Sequence, residues 1–437
     1  MKRLVLLASL ALAACTVGPN YKKPAVPVPD QFYGAIETSE ESLGDAKWFD
    51  VFGDPVLRSL IEEAERNGYD ARIAITRVEE ARARYGIAGA ARFPEVDAQV
   101  RGGWGHASGD TGTAITANVA AGWELDLWGR IRRLNEAARA QYLASEEGER
   151  AVRLALLSEV ASAYFDLREL DEELRIARHS VETFQSTFDL FNRRLQGGTA
   201  SAVETSRASA LLANAQAQIP LIESDIIATE NELNVLLGRV PGPIERGTSL
   251  SQQAIPVDVP AGLPSALLLR RPDVRAAEQE LIAANANIGV AEAAFYPTVS
   301  LSALLSDGPV YRVEAGLLAP IFNGGRLRNQ RRVAVAQFQR ALAEYEQSVT
   351  GALADVSTTL VALDKLRVAE EERTRALRAN EEAARLVYLR YNSGLSAYFE
   401  VLDALQQTFI AENALARTRR DRLVALVRFY RALGGGF

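Results

Sequence analysis

The chain carries one arrangement twice, and that repetition constrains its fold more than any single motif. WGRIRR (Trp128 to Arg133) has a counterpart in GGRLRN (Gly324 to Asn329), 196 positions later. LQGGTASAVE (Leu195 to Glu204) has one in YNSGLSAYFE (Tyr391 to Glu400), at the same offset of 196. Upstream, AGAARFPEVDAQV matches GVAEAAFYPTVSL, with Pro94 against Pro297 and an offset of 203. The first copy therefore holds a longer insert between Pro94 and Trp128. Anchors that keep one offset over so long a stretch read as a tandem duplication of helix, strand pair, long helix, tip and helix.

Within each copy the hydrophobic period changes. The apolar positions Leu156, Val160, Ala163, Leu167, Leu170, Leu174, Ala177, Val181, Phe184, Phe188, Phe191 and Leu195 follow a spacing of 4 and 3, a coiled-coil seam. No Pro or Gly falls between Glu149 and Gln196. A helix from Arg130 to Leu195 spans about 66 residues, roughly 100 Å at 1.5 Å per residue. That is too long for an ordinary globular domain and fits a span across the periplasm. The second copy keeps the seam less strictly: Val356, Leu363, Leu366, Leu377, Val387 and Tyr391 fit, while Glu370 and Arg373 interrupt it. Pro220 sits inside a helical run from Ala200 to Leu237, where it is expected to kink or divide the helix.

The segments before the long helices alternate with period two. Val96, Ala98, Val100, Gly102 and Trp104 face one way, and Glu95, Asp97, Gln99 and Arg101 the other. After a polar loop, GHASGDTGT, the apolar series Ile115, Ala117, Val119, Ala121, Trp123, Leu125 and Leu127 opposes Thr116, Asn118, Ala120, Gly122, Glu124 and Asp126. In the second copy Val299, Leu301 and Ala303 oppose Thr298, Ser300 and Ser302; a short loop around SDGP leads to Val313, Ala315, Leu317, Ala319 and Ile321. Strands of about ten residues that are apolar outside and polar inside are the mark of an outer-membrane barrel. A soluble hairpin with one buried face explains a single pair of such strands better than two pairs that each lead into a coiled-coil helix.

Four strands cannot close a barrel, and lipid does not tolerate open sheet edges. The chain must therefore oligomerise, giving eight strands as a dimer or twelve as a trimer. Eight strands enclose an interior filled by side chains, whereas a wider ring can be hollow. A twelve-stranded trimer can be hollow, which favours a channel.

The chain opens MKRLVLLASLALAAC, with Lys2 and Arg3 before an apolar run from Leu4 to Ala14. That is a signal peptide, too short to remain as a spanning helix. Leu12-Ala13-Ala14-Cys15 resembles a bacterial lipobox, which makes Cys15 the lipidated N-terminus of the mature protein. Thr16 follows, rather than the Asp that argues for retention at the inner membrane, so the expected location is the outer membrane of a diderm bacterium. Losing Lys2 and Arg3 takes the formal charge from -7 to -9, which disfavours nucleic acid as a partner. Cys15 is the only Cys, so no internal disulfide can form. The sole Met is Met1, and His106 and His179 are the two His, which leaves no soft-metal or His-cluster site and argues against a Cu(I)-binding lining. No nucleophile motif, phosphate loop or cofactor fingerprint appears, so no enzyme activity and no cofactor are expected.

These residues resemble the TolC-like outer-membrane efflux factor family, in its lipoprotein branch, over nearly the whole mature chain. The resemblance is carried by WFDVFGDPVLRSLIEEAERNGYD (Trp48 to Asp70), by AGWELDLWGRIR, by RALGGGF at the C-terminus, and above all by LPSALLLRRPDVRAAEQELIAANANIGVAEAAFYPTVSL (Leu263 to Leu301). It implies a mainly α protein with membrane β: long coiled-coil helices forming a periplasmic α-barrel, and four strands per protomer completing a trimeric 12-stranded barrel in the outer membrane. It implies a homotrimer that works with a periplasmic adaptor protein and an inner-membrane pump of the resistance–nodulation–division type. The function it implies is the exit duct of a tripartite efflux pump, passively conducting drugs or other small molecules outward. The other readings are a duct for protein or peptide secretion and a periplasmic coiled-coil scaffold lipoprotein without a pore. Thr298 to Phe322 looks shorter than is common in the family.

The expected organisation is a signal peptide over 1–14, a lipid-anchored extended segment over 15–47, and a first repeat over 48–239. That repeat has strands at about 94–128 and a long helix at about 130–195. A Pro-rich linker over 240–264 leads to a second repeat over 265–437, with strands at about 297–323 and a long helix at about 326–391. Gly197-Gly198 and Ser393-Gly394 stop the long helices where left-handed geometry is needed. Thr199 or Ser201, and Ser396, are placed to cap the next helices. By resemblance, the tips Gly197, Gly198, Thr199, Ser393, Gly394 and Leu395 meet the adaptor. Phe399 and Asp403 lie at i, i+4 on one helix face. By resemblance, Val401-Leu402-Asp403-Ala404 is the pore-narrowing segment, with Asp403 giving an acidic ring and Phe399 an apolar ring to a periplasmic gate. Glu204 aligns with Glu400, whereas the repeat counterpart of Asp403 is Arg207.

Overall fold

The computed structural model describes residues 16–34, 42–107, 110–253, 255, 260–306 and 311–435. The signal peptide and Cys15 lie outside them. The elements run α1 (Trp48–Phe52), α2 (Pro55–Asn67), α3 (Tyr69–Ala90), β1 (Glu95–Ala107), β2 (Asp110–Leu125), α4 (Arg130–Gln196) and α5 (Ala202–Leu237). After the linker come α6 (Leu267–Arg270), α7 (Pro272–Ala293), β3 (Thr298–Ser306), β4 (Tyr311–Leu318), α8 (Arg326–Asn392) and α9 (Tyr398–Ala432). The duplication is visible in the helix lengths. Both α3 and α7 have 22 residues, both α4 and α8 have 67, and α5 and α9 have 36 and 35. The strands differ more, with 13 and 16 residues in the first copy against 9 and 8 in the second. No described helix is long and apolar enough to cross a membrane.

The chain divides into two compact units. The first comprises residues 1–27, 75–149 and 272–350. It holds one antiparallel sheet in the order β1-β2-β3-β4. The register puts the alternating apolar series in line: Val96 faces Ala121, Trp123 faces Leu301, Ala121 faces Ala303, and Leu301 faces Ala315, while Leu304 and Leu318 fall on the other face. One face of the whole sheet is thus apolar, and it is exposed in the single chain at Val100, Ile115, Leu305, Val313 and Leu317. The opposite face pairs Gln99 with Asn118, Arg101 with Thr116, Glu124 with Ser300 and Ser302 with Glu314. Among the described residues the outer edges of β1 and β4 have no partner strand.

The strand limits differ from expectation. The ladder of the first hairpin continues to Ala107 and Asp110, so most of GHASGDTGT is strand, and His106 lies in β1. The second hairpin ends at Leu318, leaving Ala319 and Ile321 outside it. Pro320 stands two residues beyond that end, and proline has no N–H to give the ladder.

Each hairpin enters its long helix through a glycine with positive φ, Gly129 at 80° and Gly325 at 85°. Asp126 caps α4, accepting from Ile131 N at 3.0 Å and Arg132 N at 2.9 Å. Trp128 stacks on Tyr296 at 4.9 Å and donates to Pro297 O at 2.7 Å. Ala137 and Ala140 of α4 meet Ala283 and Ala286 of α7, small residues that let the two helices approach closely. The segment after Cys15 is strapped onto these helices. Val17 N donates to Trp128 O at 3.0 Å, Arg133 reaches Asn20 at 2.7 Å, Asn285 donates to Pro19 O at 2.9 Å, and Lys23 pairs with Glu278 at 2.7 Å. Gly18 has φ 94°, and a Cβ there would lie 2.4 Å from Gly289 Cα, so only glycine fits.

The second unit comprises residues 28–74, 150–271 and 351–437. Here the α4 seam is formed as read: each of the twelve apolar positions from Leu156 to Leu195 is buried or half-buried. Asp54 is a hub. It caps α2 through Val56 N and Leu57 N, and accepts from Tyr164 Oη at 2.9 Å, Thr248 N at 3.0 Å and Gln253 Nε2 at 2.7 Å. It thereby ties the start of α2 to α4 and to the inter-repeat linker. Pro220 does not divide its helix. α5 runs unbroken from Ala202 to Leu237 and forgoes the one hydrogen bond that Pro220 would have donated to Gln216 O.

Candidate functional site

The two helix tips are closed by the same backbone device. Gly198 and Gly394 both have φ 72°. Beyond each, an N–H reaches back five residues: Thr199 N to Arg194 O at 2.8 Å, and Leu395 N to Arg390 O at 2.9 Å. This is the glycine-dependent bond that satisfies the last carbonyls of a helix. The capping hydroxyls behave otherwise than expected. Thr199 Oγ1 donates back to Arg194 O, finishing α4 rather than starting α5. Ser201 occupies the N-cap of α5 without a side-chain cap bond. At the second tip the N-cap is Ala397, one residue after Ser396, and the Ser396 hydroxyl donates to Glu400. That bond and the backbone N–H of Ala397 hold the Glu400 carboxyl below its ordinary range.

An aromatic cluster brings the two tips together. Phe191 of α4 packs with Tyr391 of α8 at 5.5 Å and with Tyr398 of α9 at 6.2 Å. Ala208, Val401 and Leu402 complete the cluster, and the Arg194 guanidinium lies 4.5 Å over the Tyr391 ring. With Val401 and Leu402 turned inward, the opposite face of α9 is left bare. Phe399 is 55% exposed, Asp403 is exposed, and Gln406 and Ile410 continue the same stripe. Both copies leave Gly197, Gly198, Thr199, Ser393, Gly394 and Leu395 exposed, so each tip presents backbone and small side chains outward, and the second adds the apolar side chain of Leu395. The repeat counterparts on α5, Val203 and Arg207, are exposed as well.

The interruptions of the second seam turn out to be cross-helix ties. Glu370 of α8 accepts from Arg419 Nε at 3.1 Å and Arg422 Nη1 at 2.9 Å, both on α9. Arg373 donates to Ala414 O at 2.7 Å. On its other side α9 is held to α4: Arg417 Nε lies 2.8 Å from Glu173 and 3.7 Å from Glu169, and Arg420 lies 3.3 Å from Asp166. Burial pushes the Asp166 carboxyl above its ordinary value. A groove of about 460 Å³ runs along these ties, lined by Glu173, Gln218, Ile222, Phe409 and Arg417 among others. Sequence reasoning missed this network because its partners are separated by 49 and 244 positions, beyond any local pattern. Among the described residues no cluster of His, Cys, Asp and Glu is placed to hold a metal ion. His179 stands exposed on α4.

The outer membrane efflux protein family matches residues 60–239 and 263–435, one segment in each copy of the duplication. Cation efflux system protein CusC of Escherichia coli strain K12 is 32% identical over 453 residues, covering 100% of this chain and 99% of that protein. The probable outer membrane lipoprotein SilC of Salmonella typhimurium is 33% identical over 457 residues, again covering 100% of this chain and 99% of that one. Among solved structures, the open state of the Neisseria gonorrhoeae MtrE outer membrane channel superimposes with a TM-score of 0.86 at 32% identity, over 97% of this chain and 98% of that one.

Proposed function

This chain belongs to the outer membrane efflux protein family, and from that premise we propose which of its residues anchor, dock and gate it. It is an outer-membrane efflux channel, the exit duct of a tripartite pump. The carrying observation is the sheet: four strands, one continuous apolar face and two unpaired edges. That is one third of a twelve-stranded trimeric barrel, and β4 of one protomer is free to pair with β1 of the next.

Transport is passive, and small molecules, including drugs, are the cargo. A periplasmic adaptor caps the exposed tips at Gly197-Gly198-Thr199 and Ser393-Gly394-Leu395, and an inner-membrane pump of the resistance–nodulation–division type supplies the work. Cys15 carries the lipid. The strap from Val17 to Lys23, fastened to α4 and α7, supports a fixed position for that anchor. Three copies of the bare α9 stripe narrow the periplasmic end. Phe399 forms an apolar ring and Asp403 an acidic one, and three carboxylates around a narrow pore attract cations.

Single-channel recording from the purified protein in a planar bilayer tests this. The wild type forms a low-conductance pore, and Asp403→Ala raises the conductance and makes cells leak antibiotic. Unchanged conductance and unchanged leak in that variant would sink the gate assignment.

A further inference from the structure

The charged network on α9 contains one arrangement that neither the tips nor the gate uses. Glu169 and Glu173 stand one helical turn apart on α4. Both face α9, and their side chains are only 8% and 10% exposed. One guanidinium serves both: Arg417 hydrogen-bonds Glu173 and lies farther from Glu169. The other groups around the pair do not balance it. Arg420 is engaged by Asp166 on α4 and by its own neighbour Asp421 at 3.4 Å. Helix α5 contributes neutral Gln218 and Ile222 to the groove and acidic Glu232 near Asp166, and α8 contributes Arg373, which is bonded to a backbone carbonyl. Arg428 of α9 also acts on Asp166, but the cations acting on Glu169 are Arg417 and Arg420, and these are shared with Asp166, Glu173 and Asp421. Two ionised carboxylates in such confinement repel each other, whereas one proton between them turns repulsion into a hydrogen bond.

We propose that Glu169 keeps a proton against its α4 neighbour Glu173, leaving Glu173 to pair with Arg417 of α9, so that the α4–α9 contact is unstrained while the proton is held and burdened by an unbalanced buried charge when it leaves. The groove alongside, which Glu173 and Arg417 line, gives water a route to the pair. Burial first, and then the Glu173 carboxylate, pushes Glu169 from its ordinary 4.5 up to about 7. An acid with a raised folded value binds more protons folded than unfolded between those two values. The α4–α9 packing is therefore unpenalised at acid pH and loses stability as pH rises through the window from 4.5 to about 7. Because α9 carries Phe399 and Asp403, loosening it frees the gate; this last step rests on the gate assignment above.

Thermal unfolding of the purified full-length protein between pH 5 and pH 8.5 tests the tie, with Glu169→Gln mimicking the protonated carboxyl. The variant should match the wild type at pH 5 and melt about 2 °C higher at pH 8.5. An offset that is the same at both pH values overturns the proposal. Conductance supplies the second reading: it should rise with pH in the wild type and stay flat in Glu169→Gln, and a variant that keeps the wild-type pH response also overturns it. The melting profile does not pass through the gate, so a failed gate assignment, read from Asp403→Ala, is distinguishable from a failed tie.

Discussion

The two long helices have the same length and opposite surroundings. Along α4 the seam from Leu156 to Leu195 is continuously covered. Along α8 the stretch from Glu371 to Arg390 is mostly exposed and carries its own local ion pairs, Glu372 with Arg375 and Glu382 with Arg385. At two seam positions the first copy has Leu174 and Ala177 where the second, 196 residues on, has Glu370 and Arg373. The backbone plan of the repeat is common to both copies, and the chemistry of its contacts is not. Apolar packing is non-directional and insensitive to small charge changes. Ion pairs are directional and titratable. A helix held by the first is a scaffold, and one held by the second can be released. The residues proposed for the gate, Phe399 and Asp403, lie on α9, which directly follows α8.

Four measurements sharpen or break this contrast. The largest effect is expected at the tip cluster. Phe191→Ala, fully buried, should cost about 3–5 kcal/mol in denaturant unfolding of the purified protein. Its repeat counterpart, half-buried Val387, should cost about 1 kcal/mol when changed to Ala. Equal losses would erase the asymmetry. Next, Glu370→Leu installs the first copy's residue in the second. It should lose about 1–3 kcal/mol by the same assay, because Arg419 and Arg422 are left without their acceptor. A gain in stability would show that the tie is dispensable. At the tips the copies should behave alike: Gly198→Ala and Gly394→Ala each force a side chain into left-handed geometry and should each cost about 1 kcal/mol. A clear inequality in melting temperature would mean that the shared bonds do not carry equal load. The smallest effect is expected at Arg207→Ala, which should leave conductance unchanged where Asp403→Ala raises it.

Much of this architecture was legible because its signals are periodic and repeated. The seam and the anchors 196 residues apart located the long helices to within a residue or two. Strand alternation identified the apolar face that the register then aligned. The misreadings share a physical cause. Gly105, Thr111, Gly112 and Thr113 in GHASGDTGT look like loop, but a strand pair held by its ladder accepts them. Ser396 looks like a cap, but the helix begins one residue later at Ala397–Tyr398 and its hydroxyl serves Glu400 instead. Glu370 and Arg373 looked like defects in the seam because their partners lie on another helix. Pattern reading sees what a residue repeats with along the chain, and charged ties depend on what it meets across it.

The free edges of β1 and β4 have a genetic consequence. In a ring of three, every protomer must offer both edges to its neighbours, so one faulty subunit spoils the closure of all. A protomer with Val313→Pro, broken in β4, would therefore do more than lose its own activity. Co-expressed in equal amount with sound protomers, it would leave about one ring in eight intact, and the lesion would score as dominant in a cell that also carries a good copy.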